Sequence, residues 1–155
     1  LVRSRGLGDV YKRQDMGRQG IFGHSMGGHG AMTIALKNPD RFKSCSAFAP
    51  IVAPSSADWS RPALEKYLGE DQAAWRAYDA CSLVEDGARF PEFLIDQGKA
   101  DSFLENGLRP WLFEEAIKGT DIALTLRLHD RYDHSYYFIS TFMDDHLKWH
   151  AERLI

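Results

Sequence analysis

The chain has 155 residues, 19 basic against 22 acidic side chains for a net charge of −3, and 44% hydrophobic residues. That is ample for one buried core but short for a complete large α/β enzyme, and the slight acidity gives no electrostatic footprint for nucleic acid or an anionic membrane surface. Cys45 and Cys81 lack C-x-x-C spacing and no apolar run reaches the length of a membrane span, so a cytoplasmic protein with free thiols that acts on small molecules is expected.

Taken in order, Leu1–Gln14 (LVRSRGLGDVYKRQ) is basic and aperiodic. It reads as a non-native or disordered tail and resembles a translated cloning adapter, so the folded part is expected to begin near Asp15. Gly20–His24 reads as a short buried strand, and Gly27–Lys37 as a helix with Ala31, Ile34 and Ala35 on one face, stopped by Asn38-Pro39. Ser44–Ala49 is a second apolar strand ending at Pro50, and strand, helix, strand implies a parallel sheet with a right-handed crossover. Ile51–Arg61 reads as a surface loop at the C-terminal ends of the strands, where open α/β sheets bind ligands, with Trp59 as a pocket wall or a loop anchor.

Pro62–Leu68 and Asp71–Asp79 read as short helices, with Trp75 and Tyr78 as packing aromatics. Phe93–Asp96 is a third strand and Phe103–Lys118 a helix carrying Leu104, Leu108, Leu112 and Ile117. Ile122–Leu128 alternates at period two and is the clearest strand. A final helix, Ser135–Leu154, lines up Ile139, Phe142, Met143, Leu147 and His150.

The chemistry concentrates at Gly23-His24-Ser25-Met26-Gly27, a G-x-S-x-G pattern at a strand-to-helix turn. Such an elbow strains the serine backbone and lifts its Oγ above the sheet, and Gly23 and Gly27 remove side chains that would collide there. The Met26 amide, at the helix N-terminus, points where an oxyanion would form. Glycine-rich turns also bind phosphate, but neither G-x-x-x-x-G-K-[ST] nor G-x-G-x-x-G is present.

A serine nucleophile needs a base and an orienting acid, in the order Ser, acid, His for this fold. Asp101 follows the third strand on a glycine turn. Its rival Asp96 lies within or at the edge of that strand and is better placed to cap the turn. His134 stands where a loop enters the last helix, whereas His129 is closer to the strand end and suits the surface. His24 points to the opposite face, in a supporting place, and joins Trp59 and Tyr132 as candidate pocket residues. His29, His146 and His150 read as structural or exposed, with no metal-ligand spacing.

Several stretches carry a resemblance: IFGHSMGGHGA (21–31), ALKNP (35–39), SAFAPI (46–51), WRAYDA (75–80), LIDQGKAD (94–101) and YDHSYYFI (132–139). They resemble the C-terminal half of the S-formylglutathione hydrolase (esterase D) family. The resemblance implies an α/β-hydrolase fold, with residues 15–155 forming the C-terminal part of one domain. It places the nucleophile on Ser25, the acid on Asp101 and the base on His134. It implies hydrolysis of a glutathione thioester to glutathione and formate in formaldehyde catabolism, activity on simple esters and no cofactor. A homodimer is a separate expectation. Ala100 stands where the family has a second acid, and the loop Val52–Ser60 differs from the family. The family's N-terminal half, with the second oxyanion donor, is absent, so the Ser25 strand is expected at an unpaired edge. An acyltransferase on the same fold and a catalytically weak fragment are the alternatives.

Overall fold

The computed structural model describes residues 15–155, and the predicted tail Leu1–Gln14 lies outside them. Four parallel strands form one sheet in the order β1 (Gly20–His24), β2 (Ser44–Phe48), β3 (Glu92–Gly98) and β4 (Ala123–His129). Gly20 pairs with Ser44, Cys45 with Phe93 and Glu92 with Ala123, so all four C-terminal ends emerge together. Helix α1 (Met26–Lys37) connects β1 to β2. Between β2 and β3 lie α2 (Arg61–Leu68), α3 (Gln72–Trp75) and α4 (Ala80–Glu85). The short α5 (Trp111–Ala116) precedes β4, and α6 (Tyr136–Arg153) follows it. Among the described residues β1 is an edge strand, as expected.

Side-chain alternation along the strands decides which layer each residue joins. On one face Cys45, Ala47, Phe93 and Ile95 pack with Met32 and Ala35 of α1, Ala80 and Val84 of α4, and Phe113 of α5. Each large apolar side chain buried there contributes about 1.5–3 kcal/mol. The other face meets α6 and is mixed. Phe48 and Phe138 form a small apolar cluster with Leu108, while Ser44, Ser46 and Asp96 meet His146 and His150.

Where observed elements depart from the sequence reading, local chemistry supplies the reason. The helix expected over Phe103–Lys118 is interrupted. A single π-helical turn spans Leu104–Leu108, Arg109 adopts φ 43°, and the helix restarts after Pro110. Proline offers no N–H and disfavours helical geometry in the residue before it. The second short helix splits into α3 and a 3-10 turn, Arg76–Tyr78, because Asp79 leaves the helical region and its carboxylate accepts the Ser82 N–H at 2.9 Å, starting α4. Asp71 caps α3 through the Ala73 N–H.

The expected surface loop Ile51–Arg61 is instead buried at Ile51, Val52, Ala53, Pro54 and Ala57. Its backbone is satisfied partly within the loop, by a 3-10 turn at Pro54–Ser56 and the Ser60 hydroxyl against the Pro54 and Ala57 carbonyls, and partly from outside, where the Asp79 carboxylate accepts the Ser55 N–H and the Ala80 N–H donates to the Val52 carbonyl. Trp75 is buried and donates to the Gly69 carbonyl at 2.9 Å, whereas Tyr78 is part-exposed under the Lys37 ammonium. On α6 the buried stripe is Phe138, His146 and His150, and Leu147 is half-exposed. The expected stripe holds at His150 but not at Leu147, and His146 is buried because Ser46 of β2 and Asp96 of β3 receive its imidazole. Among the described residues no helix is long and apolar enough to cross a membrane.

Candidate active site

Ser25 follows the last residue of β1 with φ 56° and ψ −115°, a left-handed conformation that costs energy for a residue with a side chain. The surroundings hold it there. Its N–H donates to the Phe48 carbonyl at 2.9 Å, and its carbonyl accepts the His29 N–H at 2.9 Å, so Ser25 is tied to β2 and to the first turn of α1. A Cβ on Gly23 would come within 2.3 Å of the Gly27 backbone, which shows how tightly strand and helix close at this turn. The reason expected for Gly27 does not hold, since a Cβ there meets nothing within 4 Å among the described residues. Gly28 is the second tight position, facing Pro50 at 3.0 Å. Met26 is exposed and opens α1, so its N–H belongs to the first turn, where no intrahelical acceptor exists.

The loop after β3 carries Asp101, whose carboxylate is buried and accepts three N–H groups. Phe103 N–H donates to Oδ1 at 2.9 Å, Gln97 Nε2 to Oδ2 at 3.1 Å, and His134 Nδ1 to Oδ2 at 2.6 Å. Burial pushes the Asp101 carboxyl up, but the hydrogen bonds from His134 and Phe103 outweigh it and hold the group below the usual carboxylate range. An ionised carboxylate only accepts, so His134 carries a proton on Nδ1, and in the neutral imidazole Nε2 holds the lone pair. Among the described residues no hydrogen bond joins Ser25 Oγ to His134.

The acid and histidine loops are joined by their backbones. Lys99 N–H donates to the His129 carbonyl and Ala100 N–H to the Tyr132 carbonyl, both at 2.9 Å. Gly98 permits this approach, because a Cβ there would stand 2.2 Å from the Tyr132 oxygen. Arg131, with φ 68°, makes the sharp turn before His134. His24 does point away from α1, as alternation requires, and that is the face on which His134 lies, with ring centroids 4.4 Å apart. Burial first, and then the neighbouring His134, hold the His24 imidazole below its usual value and hence neutral near pH 7. The Phe103 ring meets His134 edge-on at 5.2 Å.

The rejected candidates have other places. Asp96 does not cap a turn. It lies inside β3, fully buried and clasped by Arg127 through two contacts of 2.6 Å. His129 is not at the surface but stacks on Phe142 at 3.7 Å. His29 contacts the Tyr78 carbonyl at 2.6 Å, and His150 contacts Ser44 and Ser46, so both are structurally engaged. Among the described residues no group of three or more His, Cys, Asp or Glu could hold a metal ion.

The candidate pocket residues divide. His24 reaches the His134 ring. Trp59 acts as a loop anchor, donating to the Asn106 carbonyl at 3.1 Å and lying over Gly107. Tyr132 packs among Tyr137, Phe138 and Phe142 and lines a hollow of about 460 Å³ beside the histidine loop, whose lining includes none of Ser25, Asp101 and His134. Gln97 and Phe103 were not anticipated. The Gln97-to-Asp101 spacing within LIDQGKAD was the available signal, but only the strand end turning over itself brings the amide onto the carboxylate.

A family model described as "Putative esterase" matches residues 8–149. The S-formylglutathione hydrolase of Arabidopsis thaliana is 48% identical over 149 residues, which cover 96% of this chain and 52% of that protein. The S-formylglutathione hydrolase of Mus musculus is 51% identical over 143 residues, covering 90% of this chain and 50% of that one. The solved structure of an S-formylglutathione hydrolase from Agrobacterium tumefaciens superposes with a TM-score of 0.92 at 87% identity, over 96% of this chain and 54% of that chain. Esterase B of Lactobacillus rhamnosis, at 21% identity and TM-score 0.70, shares the fold. The chain thus spans about half the length of the curated relatives it matches.

Proposed function

The chain belongs to the esterase family, and from that membership we propose that this protein hydrolyses the thioester S-formylglutathione to glutathione and formate, and simple carboxylic esters, through an acyl-serine. The observation that carries the reading is the 2.6 Å contact between Asp101 Oδ2 and His134 Nδ1, the same acid and base that chain order selects for a Ser25 nucleophile. The S-formylglutathione hydrolases among its relatives support the substrate class.

In this reading Ser25 Oγ attacks the acyl carbonyl and His134 Nε2 takes its proton. Ionised Asp101 keeps the other imidazole proton on Nδ1 and stabilises the imidazolium that forms. The Met26 N–H, at the positive end of α1, donates to the oxyanion. His134 returns the proton to the departing sulfur, the carbon–sulfur bond breaks, and glutathione leaves. Water, deprotonated by His134, then attacks the formyl-serine, releasing formate and restoring Ser25. A homodimer and a cytoplasmic location belong to the same reading. The unpaired, buried Cys45 and Cys81 suit the latter.

The test compares this chain with Ser25→Ala on S-formylglutathione and on p-nitrophenyl acetate. Turnover by the parent chain and none above background in the variant is expected. Equal rates in both remove the activity from this chain. A full-length S-formylglutathione hydrolase relative, assayed in parallel, then decides whether the serine needs a second oxyanion donor, which is worth roughly 3–4 kcal/mol of barrier.

A further inference from the structure

Asp96 takes no part in the proposed reaction, yet it is a fully buried carboxylate surrounded by an unusual set of cationic and titratable neighbours. Arg127 of β4 grips it with Nε on Oδ1 and Nη2 on Oδ2, both at 2.6 Å. The same guanidinium reaches α6, where Nη1 donates to Asp145 Oδ2 at 2.9 Å. His129, the last residue of β4, and His146 of α6 each bring Nε2 to 3.3 Å from Asp96 Oδ2. That is close enough for electrostatic attraction but off the line of a hydrogen bond, and both nitrogens are otherwise buried without a partner. Behind His146 the contacts continue through Ser46 Oγ at 2.8 Å to His150 and on to Ser44. Burial alone would push the Asp96 carboxyl up, but His146 and Arg127 outweigh it and hold the group ionised, below the usual carboxylate range.

The topology gives this cluster a consequence. His134 lies in the connection between β4 and α6, and Asp96 touches both of its anchors: Arg127 and His129 before it, and Asp145 (through Arg127) and His146 after it. Asp96 also stands on β3, the strand whose C-terminal end delivers Asp101. A single buried charge therefore ties the two flanks of the histidine connection to the strand that carries the acid.

We propose that Asp96 is a positioning residue that sets the His134 imidazole against Asp101 by drawing β4 and the middle of α6 onto β3. The proposal rests on the reading of Ser25, Asp101 and His134 given above for its functional meaning, but its geometry can be tested separately. A buried ion pair is weak evidence for stability, since apolar pairs of similar volume often serve as well or better. What an apolar pair does not supply is a carboxylate for His129 and His146 to face.

The experiment uses the 155-residue chain and reads the His134–Asp101 hydrogen bond rather than turnover. The His134 Nδ1 proton is followed by NMR, assigned by its loss in His134→Gln, and its exchange with water is measured. Asp96→Asn is expected to exchange this proton about tenfold faster, because local opening of the connection becomes easier, while the amides of β2 and β3 stay protected. Unchanged exchange in a folded Asp96→Asn chain overturns the proposal. Should that variant fail to fold, the double substitution Asp96→Leu with Arg127→Met restores an apolar interior. Fast exchange at His134 in the folded double variant supports positioning, and a return to the wild-type rate shows that packing alone suffices and overturns it. Phosphonate labelling of Ser25 in the wild-type chain is run alongside. Absence of labelling removes the catalytic reading, while the exchange rates still decide the positional one.

Discussion

Replacing Gly98 with alanine should separate the candidate site from the fold around it. The added Cβ would stand 2.2 Å from the Tyr132 carbonyl oxygen, 2.7 Å from its carbon and 3.1 Å from the Asp133 oxygen, all of them backbone or carbonyl atoms with no flexible end to swing aside. Ordinary van der Waals contact needs roughly 1 Å more, so the histidine loop must move away from the acid loop by about that distance. The shift strains the two 2.9 Å backbone hydrogen bonds, Lys99 N–H to His129 and Ala100 N–H to Tyr132, that join the loops. Overpacking costs about 1–3 kcal/mol, and loss of the two bonds would add about 1 kcal/mol each. A total of about 3–5 kcal/mol is expected in urea unfolding. For the chemistry, a misplacement of about 1 Å corresponds to roughly a hundredfold loss of rate. The assay is p-nitrophenyl acetate hydrolysis under conditions where the variant is still folded. A Gly98→Ala chain with wild-type rate and wild-type stability would show that the docking of the two loops does not position His134, and the reasoning would be wrong.

Gly23→Ala forces a Cβ to 2.3 Å from the Gly27 backbone and should prevent stable folding, whereas Gly30→Ala, with nothing within 4 Å, should stabilise α1 by about 0.5–1 kcal/mol, as thermal unfolding will show. The buried His150 imidazole titrates near 4 when folded, against 6.5 in the unfolded chain, chiefly through burial. Between those values the unfolded chain binds more protons, so stability that is complete above pH 6.5 is lost as the pH falls towards 4. His150 accounts for about 3 kcal/mol of that loss, and lowered His24 adds in the same direction. Urea unfolding at pH 7 and pH 4 measures the difference, which should shrink in His150→Gln, and a pH-independent stability over this range would contradict the buried neutral state.

The sequence alone determined the parallel strand-helix-strand arrangement, because Gly20–His24, Ser44–Ala49 and Ile122–Leu128 carry local patterns of apolar residues bounded by glycine and proline. It also determined the order in which a serine, an acid and a histidine arrive at strand ends. The spacing of Ser25, Asp101 and His134 could be read without coordinates, since each sits at a local boundary between an element and a loop. Pro110 was the available signal for the break in the helix expected over Phe103–Lys118, but the apolar spacing of the leucines on either side masked it.

Only the tertiary structure decided which polar residues are buried and what they meet. Asp96 and Asp101 lie five residues apart, and both are carboxylates near the end of one strand. The backbone turns after Gly98, so one is enclosed by Arg127 and two histidines while the other accepts His134, Gln97 and Phe103. His129 and His146 likewise gained interior places that no periodicity indicated, whereas His150 lay on the expected stripe. Partners for these groups come from strands and helices up to 106 residues away in the chain, as between Ser44 and His150. Burial of a polar side chain is set by whether such a partner arrives, and that depends on the packing of the whole sheet against α6 rather than on any local pattern.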